Sequence, residues 1–164
     1  MPPLASNPPE PHPPLKPTPE PGTLRERALG LLARREHSRV ELARKLDTAG
    51  FDRDEIGILL DAFEAKNWLS DQRFAESYVA DHRARAGSIK LAYDLRQRGV
   101  PDSIIENVLS VNRDSELERA REVWKKKFGV PPADAGDKAK QFRFMQSRGF
   151  TPEVIRRAIG GNDD

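Results

Sequence analysis

The chain has 164 residues, a formal charge of only +2 and a third of its residues charged. It contains no cysteine, so disulfides, thiolate metal sites and cysteine nucleophiles are excluded. No apolar run approaches the roughly 20 residues of a membrane span, and the N-terminus has no hydrophobic signal core. A cytoplasmic protein is expected.

Ten of the 14 prolines precede residue 22. Residues 1–22 are nearly free of core formers and are expected to form a disordered Pro-rich tail. The first helix is predicted to start at Thr23, with Glu26 at capping-box spacing, and its apolar face runs through Leu24, Ala28, Leu31 and Leu32. Ser38 and Glu41 repeat that spacing ahead of a second helix carrying Leu42 and Leu46. Gly50 stops it, and Asp52 or Asp54 opens a third helix with Ile56, Leu59, Leu60 and Phe63.

Trp68, Leu69 and Ser70 lead into a second unit, capped by Ser70 or Asp71. Its first helix carries Phe74, Ala75, Tyr78, Val79 and His82. Arg85 falls in the same stripe, so either the helix has ended before it or the arginine lies along a seam. After Gly87, a helix near Ser88 to Arg98 carries Ile89, Leu91, Ala92 and Leu95. Gly99 and Pro101 precede the helix of Ile104, Ile105, Val108 and Leu109. A third unit opens at Asp114 or Ser115, with Leu117, Ala120, Val123, Trp124 and Phe128. Gly129, Pro131 and Pro132 interrupt it before helices near Asp137 to Arg148 and Thr151 to Ile159. No segment alternates long enough to be a strand.

An internal repeat underlies this order. Leu46, Gly50 and Ile56 recur as Leu95, Gly99 and Ile105, and again as Met145, Gly149 and Ile155, at spacings of 49 and 50 residues. The expected fold is all-α, with three tandem three-helix repeats at 23–69, 70–112 and 113–164. Gly50, Gly99 and Gly149 are its structural joints. Units this small predict a core shared between neighbours and a curved, elongated body.

Nothing in the sequence marks a catalytic centre, a metal site or a cofactor site. His12 lies in the tail, His37 precedes a cap and His82 sits on an apolar face; no phosphate-cradling loop or nucleophile elbow is present. Trp68 and Trp124 read as core or seam anchors. The basic residues are the remaining candidates. Residues 113–164 hold 12 Lys/Arg against 9 Asp/Glu, whereas residues 24–112 hold 15 of each. Arg83, Arg85, Lys90, Arg96 and Arg98 surround the Gly87 turn and the following helix, and Lys125, Lys126 and Lys127 follow in the third unit. Such a cluster suits phosphates or an acidic partner, with salt-sensitive affinity. A helix-turn-helix transcription regulator is the alternative. The third helix of each unit is mainly apolar where groove-reading residues would be needed.

The runs S-R-V-E-L-A-R-K-L (38–46), Gly50–Phe51, L-S-D-Q-R-F-A-E-S-Y-V (69–79) and L-R-Q-R-G-V (95–100), with Arg83 and Gly87, resemble the RecX regulatory family over residues 24–160. Asp71, Phe74, Ala75, Tyr78, Val79, Leu95 and Gly99 are the most specific matches. Asp94 stands where many relatives carry glutamate. The resemblance implies a non-enzymatic, cofactor-free regulator of the RecA recombinase. Such a protein binds RecA and its single-stranded DNA filament and inhibits filament extension, ATP hydrolysis, strand exchange and repressor cleavage. A monomer with weak direct DNA binding is expected, and Arg83, Arg85, Lys90, Arg96, Arg98 and Lys125–Lys127 are its expected contacts.

Overall fold

A computed structural model describes residues 22–160; the Pro-rich tail expected over residues 1–22 lies, up to residue 21, outside the described residues. The described chain is entirely helical. The first unit holds α1 (Leu24–Arg34), α2 (Arg39–Thr48) and α3 (Arg53–Ala65). The second holds α4 (Asp71–His82), α5 (Ser88–Gln97) and α6 (Asp102–Val111). A single 3-10 turn at Arg113–Ser115 leads to α7 (Glu116–Lys127), α8 (Ala135–Ser147) and α9 (Pro152–Gly160). None of the described helices is long and apolar enough to cross a membrane.

The starts are set by short polar side chains. Thr23, Ser38, Asp52, Ser70 and Asp134 each accept from the backbone N–H three residues on, and Ser38 with Glu41 closes a full capping box. The stops between second and third helices are glycines with φ of 99° at Gly50, 78° at Gly99 and 89° at Gly149. The residue after each glycine donates back across the turn: Phe51 to Leu46 at 3.2 Å, Val100 to Leu95 at 3.1 Å, Phe150 to Met145 at 3.4 Å. This is the bonding of a helix terminated by a left-handed residue. Ile56, Ile105 and Ile155 are all buried, so the repeated pattern is one turn and one anchor used three times.

The core departs from the expectation of a shared interior. It is three clusters, one per unit. Leu42, Leu46, Ile56, Leu60 and Phe63 centre the first; Phe74, Val79, Leu91, Leu95 and Ile105 the second; Met145, Phe150 and Ile155 the third. Each trio of helices closes its own interior, and Phe63, Phe74 and Phe150 are each buried within their own cluster. Ile89 and Trp68 also depart from expectation. Ile89 is 54% exposed on the outer side of α5. Trp68 is 42% exposed, lying over Phe63 with Lys66 and Arg25 against its ring.

With separate cores, neighbouring units are joined by polar and backbone contacts that recur. At the first joint the Ser38 hydroxyl donates to the Arg98 carbonyl at 2.6 Å, and the Arg39 N–H donates to Asp71 Oδ1 at 2.8 Å. A Cβ on Gly99 would fall inside the side chain of Val40. At the second joint the Gly87 N–H donates to the Arg148 carbonyl at 2.8 Å, the Ile89 N–H to the Gly149 carbonyl at 3.0 Å, and the Ser88 N–H to Glu116 Oε1 at 2.9 Å. There a Cβ on Gly149 would strike Lys90, and one on Gly87 would strike the Gly149 backbone. In both joints the start of a second helix is held between the glycine turn of the next unit and an acid from that unit's first helix. The acid satisfies a helix N–H that has no partner within the helix.

The series stops at α8. Helices α2 and α5 begin eleven residues before Gly50 and Gly99, whereas α8 begins fourteen before Gly149. That additional turn, capped by Asp134 after the Pro131–Pro132 loop, precedes the position that corresponds in register to Ser38 and Gly87, where the glycine turn of a next unit docks on α2 and α5.

A candidate basic interface

The basic residues singled out in the sequence divide into two groups along α5, which spans about 15 Å at 1.5 Å per residue. At its start lie Arg83, Arg85 and Lys90. Helix α4 ends at His82, so Arg85 is exposed in the turn that follows and is not a seam residue. It has no side-chain partner among the described residues. Arg83 donates to Asn112 Oδ1 at 3.1 Å. Lys90 sits 3.8 Å from Asp94, its backbone already engaged under Gly149.

At the other end lie Arg96 and Arg98. Arg96 pairs with Asp102 at 2.9 Å in solvent, a contact worth about 0 to 1 kcal/mol. Arg98 is half-buried: it donates to the Asp94 carbonyl at 3.0 Å, and its guanidinium lies 4.6 Å from the Tyr78 ring centre. Arg98 is therefore held inward as part of the first joint.

One element ties the turn of Arg83 and Arg85 to the third unit. Arg119, on α7, donates to the carbonyls of Arg83 at 2.7 Å, Ala86 at 3.1 Å and Asn112 at 3.3 Å, and to Ser115 Oγ at 3.3 Å. Burial pushes its guanidinium below its ordinary value, Glu116 opposing that and Arg83 adding to it. In the sequence Arg119 looked like one surface cation among many. Its fork of donors instead fixes the loop that presents Arg83 and Arg85. Lys125, Lys126 and Lys127 continue on the same helix, about 9 Å and more beyond Arg119 along the axis. Lys125 and Lys126 are exposed and without a side-chain partner among the described residues, and the Lys127 ammonium lies 5.2 Å from the Phe144 ring.

The outer face of α5 adds what the sequence reading missed. Ile89, Tyr93 and Arg96, at helical spacing i, i+4 and i+7, share one side, with Tyr93 59% exposed. Exposed aromatic and apolar groups interleaved with Arg85, Lys90 and Arg96 suit a surface that binds nucleic acid or a charged protein, where rings stack and cations meet anions. The signal was readable: Ile89 and Tyr93 fall off the stripe defined by Leu91 and Leu95.

Among the described residues no group of three or more His, Asp or Glu is placed to hold a metal ion. His37 is buried, and its ring is engaged on both sides. Nδ1 lies 3.1 Å from the Arg35 carbonyl and so carries the proton; Nε2 accepts from the Lys45 ammonium at 2.9 Å. His82 stacks on Tyr78 at 3.9 Å and meets the Tyr78 carbonyl. Both rings are engaged in packing.

Comparison with known proteins agrees with this architecture unit by unit. Residues 25–61 match the first three-helix domain of RecX, residues 70–109 the second and residues 114–159 the third. The chain is 46% identical over 144 residues to the regulatory protein RecX of Ralstonia nicotianae, covering 88% of this chain and 91% of that one. It is 38% identical over 137 residues to the regulatory protein RecX of Neisseria meningitidis serogroup C, covering 84% and 89%. The crystal structure of RecX from Lactobacillus salivarius superposes with a TM-score of 0.74 at 22% identity, over 84% of this chain and 93% of that one.

Proposed function

The chain belongs to the RecX family of regulatory proteins, and from that premise we propose that it acts by binding the RecA recombinase and its single-stranded DNA filament. Bound there, it restrains filament extension, ATP hydrolysis, strand exchange and repressor cleavage, without chemistry of its own. The observation that carries this reading is the outer face of α5 in the middle unit. Tyr93 and Ile89 stand exposed between Arg85, Lys90 and Arg96, and the Arg119 clamp holds the Arg83–Ala86 turn, which carries Arg85, to α7, the helix that also bears Lys125, Lys126 and Lys127.

Arg85, Lys125 and Lys126 lack carboxylate partners among the described residues, so their field is not cancelled locally. Contacts from successive units to successive RecA protomers would add through effective concentration, and each can be weak. Arg98 plays a lesser part here than the other sequence candidates, because its guanidinium already faces Tyr78 and the Asp94 carbonyl.

The test is inhibition of the DNA-dependent ATPase of RecA by wild-type protein and by the triple variant Arg85→Glu/Lys90→Glu/Lys125→Glu. All three side chains are exposed, so the melting temperature should stay within a degree or two while the half-inhibitory concentration rises about tenfold or more at moderate salt. Unchanged inhibition would remove the basic face from the mechanism. Strong preference for one defined duplex over random competitor would instead favour a transcription regulator.

A further inference from the structure

Each joint seats the start of one unit's second helix on one face of the next unit. That face is made by the middle of the receiving unit's first helix and the end of its second. At the first joint the seated element begins at Glu36 and Ser38, and Glu36 pairs across the joint with Arg73 at 2.9 Å. Around it, Arg35, Glu36 and Glu41 share a cleft with Ser77, Asp81 and Arg98 of the second unit. Moved back by the repeat spacing, 50 residues for the first helix and 49 for the second, those three positions become Arg27, Leu31 and Ala49. Together with Arg44, Lys45 and Thr48 they line an open cleft of about 420 Å³ on the first unit. This is the same receiving face, and none of the other described residues fills it.

We propose that this face of the first unit receives the acid-bearing start of a helix from a partner protein. Its lining includes three cations and no carboxylate; Arg27 already has a contact of its own, so the charge complementarity rests on Arg44 and Lys45. The element that the chain itself lays on the equivalent face is a helix start flanked by Glu36 and Glu41. Arg44 already donates to the Gln97 carbonyl and Lys45 to His37, but a guanidinium has five N–H donors and an ammonium three, so both retain donors for a carboxylate.

A second copy of the chain offers no matching element. Its unpaired second helix is α8, where Asp137 stands at the position of Ser38 and Gly87. Ser38 and Gly87 are the first caps of their helices, whereas Asp137 lies a turn inside α8 with its N–H bound to Asp134. A nucleic-acid strand is disfavoured too. At the equivalent positions of the second unit the three cations become Ser77, Tyr93 and Asp94, so the basic charge ends within one unit and makes no track. The proposal is independent of the basic face on α5 and α7.

The test uses the full chain and fluorescence anisotropy. The probe is a labelled peptide reading Ser-Glu-Glu-Glu ahead of an Ala/Leu helix. The control has the same composition with its three glutamates at the C-terminal end. Thr48 is exposed at the rim of the cleft with no side-chain hydrogen bond among the described residues, so Thr48→Glu and Thr48→Lys should both fold normally. The expected result is salt-sensitive binding of the first peptide, weakened about tenfold by Thr48→Glu and undiminished by Thr48→Lys. Equal binding of both peptides, or indifference to Thr48→Glu, overturns the proposal. So does displacement of the peptide from this cleft by single-stranded oligonucleotide, or a concentration-dependent self-association that Thr48→Glu abolishes.

Discussion

Glycine serves opposite ends in this chain. Gly149 combines a positive φ with a location where a Cβ would meet Lys90, whereas Gly57 lies inside α3 with nothing within 4 Å of an added Cβ. Gly149→Ala should cost at least about 2 kcal/mol, from left-handed strain plus overpacking. Gly57→Ala should gain about 1 kcal/mol from helix propensity. Thermal melts of the two variants should therefore move in opposite directions. Protonation of His37 bears directly on the fold. Burial holds it below the ordinary imidazole value, with Arg35 and Lys45 lowering it further and the Arg35 carbonyl and Glu41 opposing. The folded chain favours the neutral ring, so this contribution is complete above the unfolded imidazole value of about 6.5 and is lost as pH falls below it towards the folded value. Wild-type stability should decline on going from about pH 8 to about pH 5.5, and His37→Gln, which can still donate to one side and accept on the other, should flatten that decline. The sequence marked His37 only as the residue before a cap. Its two ring partners, the Arg35 carbonyl just past the end of α1 and the Lys45 ammonium on α2, come from different elements, and no spacing announces that.

At the scale of elements, helix caps taken from the next unit do the work that a shared apolar seam would do in a closely stacked repeat. Asp71 shows how. Burial raises its carboxyl above the usual carboxylate range, the Arg39 N–H and charge lowering it and Glu64 raising it. Its hydrogen bond to that N–H needs an acceptor, not a charge. Asp71→Asn should hold stability within a few tenths of a kcal/mol, while Asp71→Ala should cost about 1 to 2 kcal/mol, the usual worth of a lost cap. Denaturant midpoints of the two variants decide between a capping role and an ionic one. The helices, their caps and their glycine stops were legible in sequence because each is fixed within about five residues of chain. The joints were not. Asp71 and Glu116 act on helices whose first N–H lies 32 and 28 residues away, and acids at helix starts look the same whether they cap their own helix or a neighbour's. The exposed Ile89 and Tyr93, by contrast, were legible in principle: each stands two residues from Leu91 or Leu95, which puts it on the opposite side of α5.

At the scale of the whole molecule, three separate cores make three partly independent folding units. Leu46 is wholly buried in the first cluster, and Leu46→Ala should cost about 2 to 5 kcal/mol there. Hydrogen exchange should then show lost protection in α1 to α3, with the amides around Met145, Phe150 and Ile155 keeping theirs. Uniform loss from α1 to α9 would mean that the joints couple the units as strongly as a common core. The candidate interface depends on this division. Arg83, Arg85 and Lys90 belong to the second unit and Lys125–Lys127 to the third, so the Arg119 clamp across that boundary decides whether they act as one surface.

The turn that lengthens α8 has a consequence for how such a chain can grow. A module that can be copied in line must both seat its second helix on a successor and receive one from a predecessor. The second unit does both. The first unit seats its helix but receives none from the described chain, and the third receives one but is blocked from seating its own. Duplicating the segment from α4 to α6 should give a longer chain with every contact satisfied. Appending a unit after Gly160 should leave it tethered and undocked until the first turn of α8 is removed.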